Sequence, residues 1–252
     1  MSEHVKTATR TLNLFEAFAR RGEPLSLSEL AKAIDTPVSS THALVKTLRA
    51  LGFVYVLDER KLIYPTKRLL TIAQKIARND PVVALAAPIL ARLQAETDET
   101  LILGKRQDDH ILYLEIVESG NTIRYTARPG ETKPLHSSSI GKAMLSLLPD
   151  REIVAAIARA GQHRVTTRTI TDVEPLLADI RTGRERGVFI TRGENVVDVM
   201  ALATPLSIGG EPFGIAIAGP MQRLAPEEER CVGLLAAARA EIEGIEQAAI
   251  FG

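Results

Sequence analysis

The segment that most restricts what this chain can fold into runs from residue 24 to residue 62, PLSLSELAKAIDTPVSSTHALVKTLRALGFVYVLDERKL. Its pattern predicts a short helix, a tight turn, a second helix and a small β-ribbon, the layout of a winged helix-turn-helix. Ser26 and Glu29 stand at the S-x-x-E spacing of a capping box, in which a side chain and a backbone donor satisfy each other at a helix start. Leu27, Leu30, Ala31 and Ile34 follow at helical spacing and define a buried face. Asp35-Thr36-Pro37 closes that helix and opens the next, with Pro37 suited to a first helical position. In the second helix Thr41, Leu44, Val45, Leu48 and Leu51 make an inward stripe. Ser39, His42, Ala43, Lys46 and Arg49 fall on the other side, and Gly52 ends the helix. The β-prone runs 53–57 and 62–64 flank the charged tip Asp58-Glu59-Arg60-Lys61, which reads as the wing.

The outward face of the second helix is small, polar and hydroxyl-rich, chemistry suited to phosphates and base edges. The candidate DNA contacts are Arg10, Ser26, Ser39, Ser40, Thr41, His42, Lys46, Arg60 and Lys61. The competing reading is an amphipathic helix with an ordinary solvated face. Charge separates the two. The chain is neutral, with 31 Lys+Arg and 31 Asp+Glu, yet residues 1–78 hold 13 Lys/Arg against 7 Asp/Glu. A basic head on an acidic body is the footprint of a polyanion partner for one domain only. The excess is modest, so double-stranded palindromic DNA bound by a dimer is the expected arrangement.

With 252 residues the chain has room for two domains, and 45% hydrophobic with 25% charged residues is ordinary globular composition. The single cysteine, Cys231, permits no intrachain disulfide, and MSEHVKTATR has no apolar signal core. No apolar run reaches the length of a membrane span. These features place the chain in the cytoplasm with no membrane partner. The five histidines are scattered, so no metal site is expected, and no cofactor.

The remaining elements follow from periodicity. An opening helix at 6–20 offers Leu12, Leu14, Phe15 and Phe18 to a core. A helix at 66–79, with Leu69, Leu70, Ala73, Ile76 and Ala77 on one side, connects head to body, and its stripe either packs on its own head or pairs with a second chain. Asn79-Asp80-Pro81 marks the boundary. A helix at 82–97, bent at Pro88, precedes strands at 100–106, 110–117 and 121–127. Helices fit 138–148, 150–160 and 173–186. Strands fit 187–191, 200–208 and 212–219, the last two joined by Gly209-Gly210 as a hairpin, and a final helix reaches about 248. The expectation is α+β: a winged head at 1–65, a linker at 66–79, and an antiparallel sheet with helices at 80–252.

Several motifs together resemble the IclR family of bacterial transcriptional regulators. In the head these are Thr9-Arg10-Thr11-Leu12, Leu27-Ser28-Glu29-Leu30-Ala31, Ser39-Ser40-Thr41-His42 and Leu51-Gly52-Phe53-Val54. In the body they are residues 135–143 (LHSSSIGKA), 168–172 (RTITD), Arg186-Gly187 and Ala218-Gly219-Pro220 with Arg223-Leu224. The resemblance implies a GAF-like effector domain, and homodimers, often paired as dimers of dimers, on palindromic operators. It puts Thr191, Asp198 and Ala201 at or near a small-molecule effector. Two departures matter. Val38 and Ala43 stand where the family often has Lys or Arg. Ala201, Ala216 and Ala218 stand where it often has Cys and Ser, which implies a less polar pocket than the glyoxylate- and pyruvate-binding versions and a larger ligand, aromatic or branched.

The effector candidates are Tyr125, His136, Ser138, Ser139, Ile140, Gly141, Thr191, Asp198, Ala201, Ala216 and Ala218. Residues 136–141 sit at a helix start, where free N–H groups and the positive helix end favour an anion; the plainer alternative is that Ser137 only caps the helix. Arg192, Glu194 and Asp198 have the alternative of being solvated loop charges. Tyr125, on the third strand, should face the same cavity. An enzyme must also be weighed, since Ser139-Ile140-Gly141-Lys142 matches the S-x-x-K of serine acylases. The supporting S-D-N element is absent, and Arg181-Thr182-Gly183 falls in a helical pattern. The reading carried forward is a ligand-responsive DNA-binding regulator of a catabolic operon, not an enzyme. The alternative is a serine-acylating enzyme or metabolite-binding scaffold with a vestigial head.

Overall fold

A computed structural model describes residues 5–57, 59 and 61–251, with side chains described through 245. The chain divides into two compact units, residues 1–80 and 81–252.

The first unit contains α1 (Lys6–Arg21), α2 (Leu27–Ala33), α3 (Val38–Ala50), the antiparallel ribbon β1 (Val54–Leu57) and β2 (Leu62–Pro65), and α4 (Arg68–Arg78). The capping box forms: Ser26 N donates to Glu29 Oε2 at 2.8 Å and Glu29 N donates to Ser26 Oγ at 3.3 Å. Pro37 lies one residue earlier than expected, as the extended N-cap of α3 with ψ 142°. Leu14, Phe18, Leu30, Ile34, Val45, Leu48, Val54 and Ile63 form the buried core. Two expected core residues lie outside it. Leu12 is 65% exposed, because two residues before Leu14 is roughly 200° around the helix from it. Leu51 is 52% exposed: it is the C-cap of α3, and the chain turns at Gly52 (φ 75°) so that Phe53, bonded back to Leu48, packs in its stead. No residue of α4 is buried, and Leu70 and Ile76 are 54% and 67% exposed. The option that its apolar stripe packs on its own head is thereby removed.

The second unit starts with α5 (Pro81–Thr97), one helix through Pro88. Then come β3 (Thr100–Gln107), β4 (His110–Val117), β5 (Thr132–Pro134), α6 (Ser139–Leu145), α7 (Asp150–Ala160), α8 (Val173–Arg186), β6 (Phe189–Arg192), β7 (Val199–Ile208), β8 (Glu211–Pro220), α9 (Met221–Leu224) and α10 (Glu228–Phe251). Six strands form one antiparallel sheet in the order β5-β4-β3-β8-β7-β6, so the unit is α+β. Gly209 and Gly210, both at positive φ, make the β7–β8 turn.

The strand expected at 121–127 is absent. That segment is tied by side chains instead: Ser119 Oγ donates to Asp98 O at 2.6 Å, Arg223 Nη1 to Ile123 O at 3.0 Å, and Thr100 Oγ1 to Tyr125 O at 2.6 Å. The outer neighbour of β4 is the short β5.

Side chains alternate across the central strands, as a pleated sheet requires. Leu101, Leu103, Leu202, Ile215 and Ile217 pack with Leu90 and Leu93 of α5 and Leu235 and Ile242 of α10. Ile102, Ala203, Ala216 and Ala218 share the other face with Ile140, Ile153, Leu176 and Ile180 of α6–α8. The large residues thus go to one face and most of the small ones to the other. The small-residue face leaves space for a cavity.

Candidate functional site

In the first unit, Ser39, His42, Ala43, Lys46 and Arg49 are exposed along α3. Two grooves sort the candidate contacts. His42, Lys46, Arg49 and the wing residue Lys61 border a groove of about 600 Å³ whose floor includes Val45, Val56 and Ile63. Arg10 and Ser40 meet in a second groove of about 300 Å³ between α1 and α3, with Ala43 and Thr47. Two candidates are placed otherwise. Thr41 is buried, with its hydroxyl on Pro37 O at 3.1 Å, and cannot face a duplex. Ser26 is occupied by the capping box. Arg60 lies outside the described residues. Arg49 is gained; its spacing of seven from His42 and three from Lys46 on one helix face was the signal for it.

In the second unit a cavity of about 30 Å³ lies on the small-residue face. Ile102, Tyr113, Tyr125, Ser138, Ser139, Thr191, Asn195, Val196, Val199, Ala201 and Ala218 line it. It brings together six candidates from distant parts of the chain: Tyr125, Ser138, Ser139, Thr191, Ala201 and Ala218. The space holds about two water molecules. The cavity is therefore small, although alanines stand in its wall.

Five candidates do not line it. Ile140 and Gly141 lie behind the wall, where a Cβ on Gly141 would sit 2.2 Å from Leu135 O and Ile140 packs on Gly214. Ala216 is buried without reaching the cavity. Asp198 is exposed at φ 62°, with its carbonyl accepting from Met221 N. His136 is buried and anchors a loop: its Nε2 is 3.0 Å from His163 O, which can only accept, so Nε2 carries the proton. Burial holds this imidazole below its ordinary pKa.

The N-cap of α6 is Ser138 rather than Ser137: Ser138 Oγ accepts from Gly141 N at 3.2 Å and donates to Pro134 O at 2.6 Å. Ser137 Oγ is instead a partner of Asn195 Nδ2 at 3.2 Å. Sequence spacing missed Tyr113 and Asn195. A bulge at Leu103/Gly104 shifts the β3–β4 register and accompanies the entry of Tyr113 into the cavity-side core. Burial, followed by the adjoining Tyr125, pushes the Tyr113 phenol well above its usual range, so it stays neutral. Among the described residues no charged side chain lines the cavity; its polar groups are hydroxyls, phenols and one carboxamide.

Behind the wall lies a buried ion cluster. Lys142, fully buried, places Nζ 2.7 Å from Asp179 Oδ2 and 2.7–2.8 Å from both Glu194 carboxylate oxygens. Glu194 is thus neither solvated nor free. Burial raises its pKa, and Lys142 pulls it back down. Thr166, and Thr169 of the motif at 168–172, hold the same loop by donating to Gly193 O at 2.6 Å and Glu194 O at 2.7 Å. Lys142 Nζ is engaged by the Asp179 and Glu194 carboxylates, and among the described residues no hydrogen bond joins it to Ser139. Thr182-Gly183 lies within α8. The S-x-x-K pattern is here a structural coincidence.

Comparison with known proteins agrees with both units. The model of the bacterial transcriptional regulator IclR C-terminal domain matches residues 74–243, and that of the IclR helix-turn-helix domain matches residues 7–58. The HTH-type transcriptional repressor AllR of Escherichia coli K12 is 27% identical over 220 residues, covering 86% of this chain and 81% of that protein. Among solved structures, the Thermotoga maritima IclR superposes with a TM-score of 0.79 at 23% identity, covering 95% of this chain and 98% of that one. An IclR homolog from Microbacterium hydrocarbonoxydans, crystallised with 4-hydroxybenzoate, gives 0.78 at 21% identity and covers 96% and 99%. With models matching the head and most of the body, the chain belongs to the IclR family of bacterial transcriptional regulators.

Proposed function

We propose that this protein is a cytoplasmic repressor of a catabolic operon, released or engaged by a small organic acid or aromatic metabolite. Residues 1–65 hold DNA, 66–79 link and dimerise, and 80–252 bind the effector. The observation that carries this reading is the pairing of a basic helix–wing groove in one unit with a small, uncharged cavity in the other. His42 and Ser40 read base edges, while Arg10, Lys46, Arg49 and Lys61 hold phosphates. The exposed stripe of α4 supports pairing with a second chain, and the operator is a palindrome whose half-sites lie a whole number of about 10-bp turns apart. Dimers pair further into dimers of dimers.

The effector is proposed to occupy the cavity between Tyr113 and Tyr125 on one side and Ser138, Ser139 and Thr191 on the other. Neutral donors and two phenols suit a hydroxylated aromatic acid better than a two-carbon keto acid. The fold neighbour crystallised with 4-hydroxybenzoate supports testing that class first. Thermal-shift screening of aromatic and aliphatic acids tests it, because a ligand at 100 times its Kd adds about 2.7 kcal/mol. Stabilisation by glyoxylate or pyruvate, with none by any hydroxybenzoate, would reject this effector class.

A further inference from the structure

We propose that Asn195, Val196 and Val197 form a lid over the cavity, swinging between two fixed posts and latched by Asn195 on Ser137. The proposal rests on the cavity being the effector site. A volume of about 30 Å³ admits no organic acid; pockets for such ligands run to about 300 Å³ and more. Part of the wall must therefore move.

Most of the wall is tied down. Ile102, Tyr113, Thr191, Val199, Ala201 and Ala218 belong to the sheet ladder. Ser138 caps α6, Ser139 is the first residue of that helix, and the Tyr125 carbonyl is held by Thr100 at 2.6 Å. That leaves Asn195 and Val196. On one side of them Gly193 and Glu194 are fixed by Thr166, Thr169 and Lys142, and Gly193 N donates to Val199 O at 2.8 Å. On the other side Asp198 O accepts from Met221 N at 2.8 Å. Gly193 and Asp198 both have positive φ, 75° and 62°, so the chain reverses at each post.

Between the posts, no backbone N–H of residues 195–197 donates to another backbone group among the described residues. Val196 O accepts a 3.2 Å bond from Val199 N, and Val197 is 64% exposed. The side-chain tie from the lid to the segment before α6 is Asn195 Nδ2 to Ser137 Oγ at 3.2 Å. Opening breaks that bond and widens the cavity. On closure over an effector, the Asn195 carboxamide is free to bond the ligand instead.

The test uses the full-length protein with a cysteine placed in the cavity, Ala218→Cys, and measures its alkylation rate by iodoacetamide. Cys231, buried in the core on the opposite face of the sheet, reports general loosening. Adding Asn195→Ala or Ser137→Ala removes one neutral hydrogen bond, so labelling of the cavity cysteine should speed up by about 2- to 10-fold. The double variant should be no faster than either single one, because both remove the same bond. Ala201→Cys serves as a second reporter, and circular dichroism checks the folding of each variant. An unchanged rate, or an equal acceleration at Cys231, overturns the lid. Accelerated labelling that 4-hydroxybenzoate fails to slow keeps the lid and rejects that effector class.

Discussion

Replacing Lys142 with methionine is the sharpest test of the effector unit's packing. Lys142 is fully buried, and its partner Glu194 has a side chain only 9% exposed. Asp179 is 38% exposed and can turn to solvent when its partner is lost. The cost therefore falls on Glu194, a carboxylate left buried and unpaired. Breaking a buried pair in this way costs about 3–5 kcal/mol.

The pH dependence has a definite sign. Burial already raises the Glu194 pKa above its ordinary 4.5, and Lys142 is the main influence drawing it down. Without Lys142 it rises further. A group whose folded pKa is raised favours the folded state at low pH, and that favour is lost as pH climbs through the folded value. The Lys142→Met deficit should then be largest near about pH 8 and shrink toward about pH 5. Removing both charges with Lys142→Met/Glu194→Met should restore the protein to within about 1–2 kcal/mol of wild type, since an apolar pair replaces the ions. Urea unfolding followed by circular dichroism at several pH values measures all three proteins. A single-variant loss below about 1 kcal/mol, or a double variant as weak as the single, would refute the reasoning.

Three further outcomes are expected. In binding assays Lys46→Ala, Arg49→Ala and Lys61→Ala should weaken operator and random DNA alike and each reduce the salt slope by about one, His42→Ala and Ser40→Ala should lower selectivity, and Thr41→Val should leave selectivity intact. Gly141→Ala pushes a methyl to 2.2 Å from Leu135 O, so its denaturation midpoint should report a loss of at least about 3 kcal/mol. Ala201→Val fills a cavity of only about 30 Å³, and calorimetry should find effector binding abolished while overpacking costs no more than about 1–3 kcal/mol.

The head was largely legible because its signals are local. A capping box, a turn and a helix-spaced stripe lie within a few residues of one another, and the motifs ordered along the chain pointed to the family. The errors there came from helix ends, where Leu51 no longer follows the period, and from Thr41, which lies on the buried face. The body was legible as strands and helices but less so as a site. The supposed strand at 121–127 has β-prone residues, yet its carbonyls are held by Thr100 and Arg223, from 25 and 100 residues away. Lys142 and Glu194 are 52 residues apart, and no local pattern distinguishes Glu194 from a solvated loop acid. Asn195 and Tyr113 were invisible for the same reason: one depends on a loop held by Thr166 and Thr169, the other on a register shift. The alternation of Ala201, Ala203, Ala216 and Ala218 with larger residues did carry the information that one sheet face is thin. Val196 and Asn195 also line the space beside Ala201 and Ala218.

The central claim is that effector and operator compete or cooperate through one protein. The direct measurement is fluorescence anisotropy of a labelled palindromic operator, taken with and without saturating effector from the thermal-shift screen. Calorimetry of that effector is then run with and without the operator. The account predicts that operator affinity changes with effector, within the range of about 5- to 150-fold, and that effector affinity changes by the same factor when DNA is bound. Operator affinity that stays constant at saturating effector, or two factors that disagree, would contradict it.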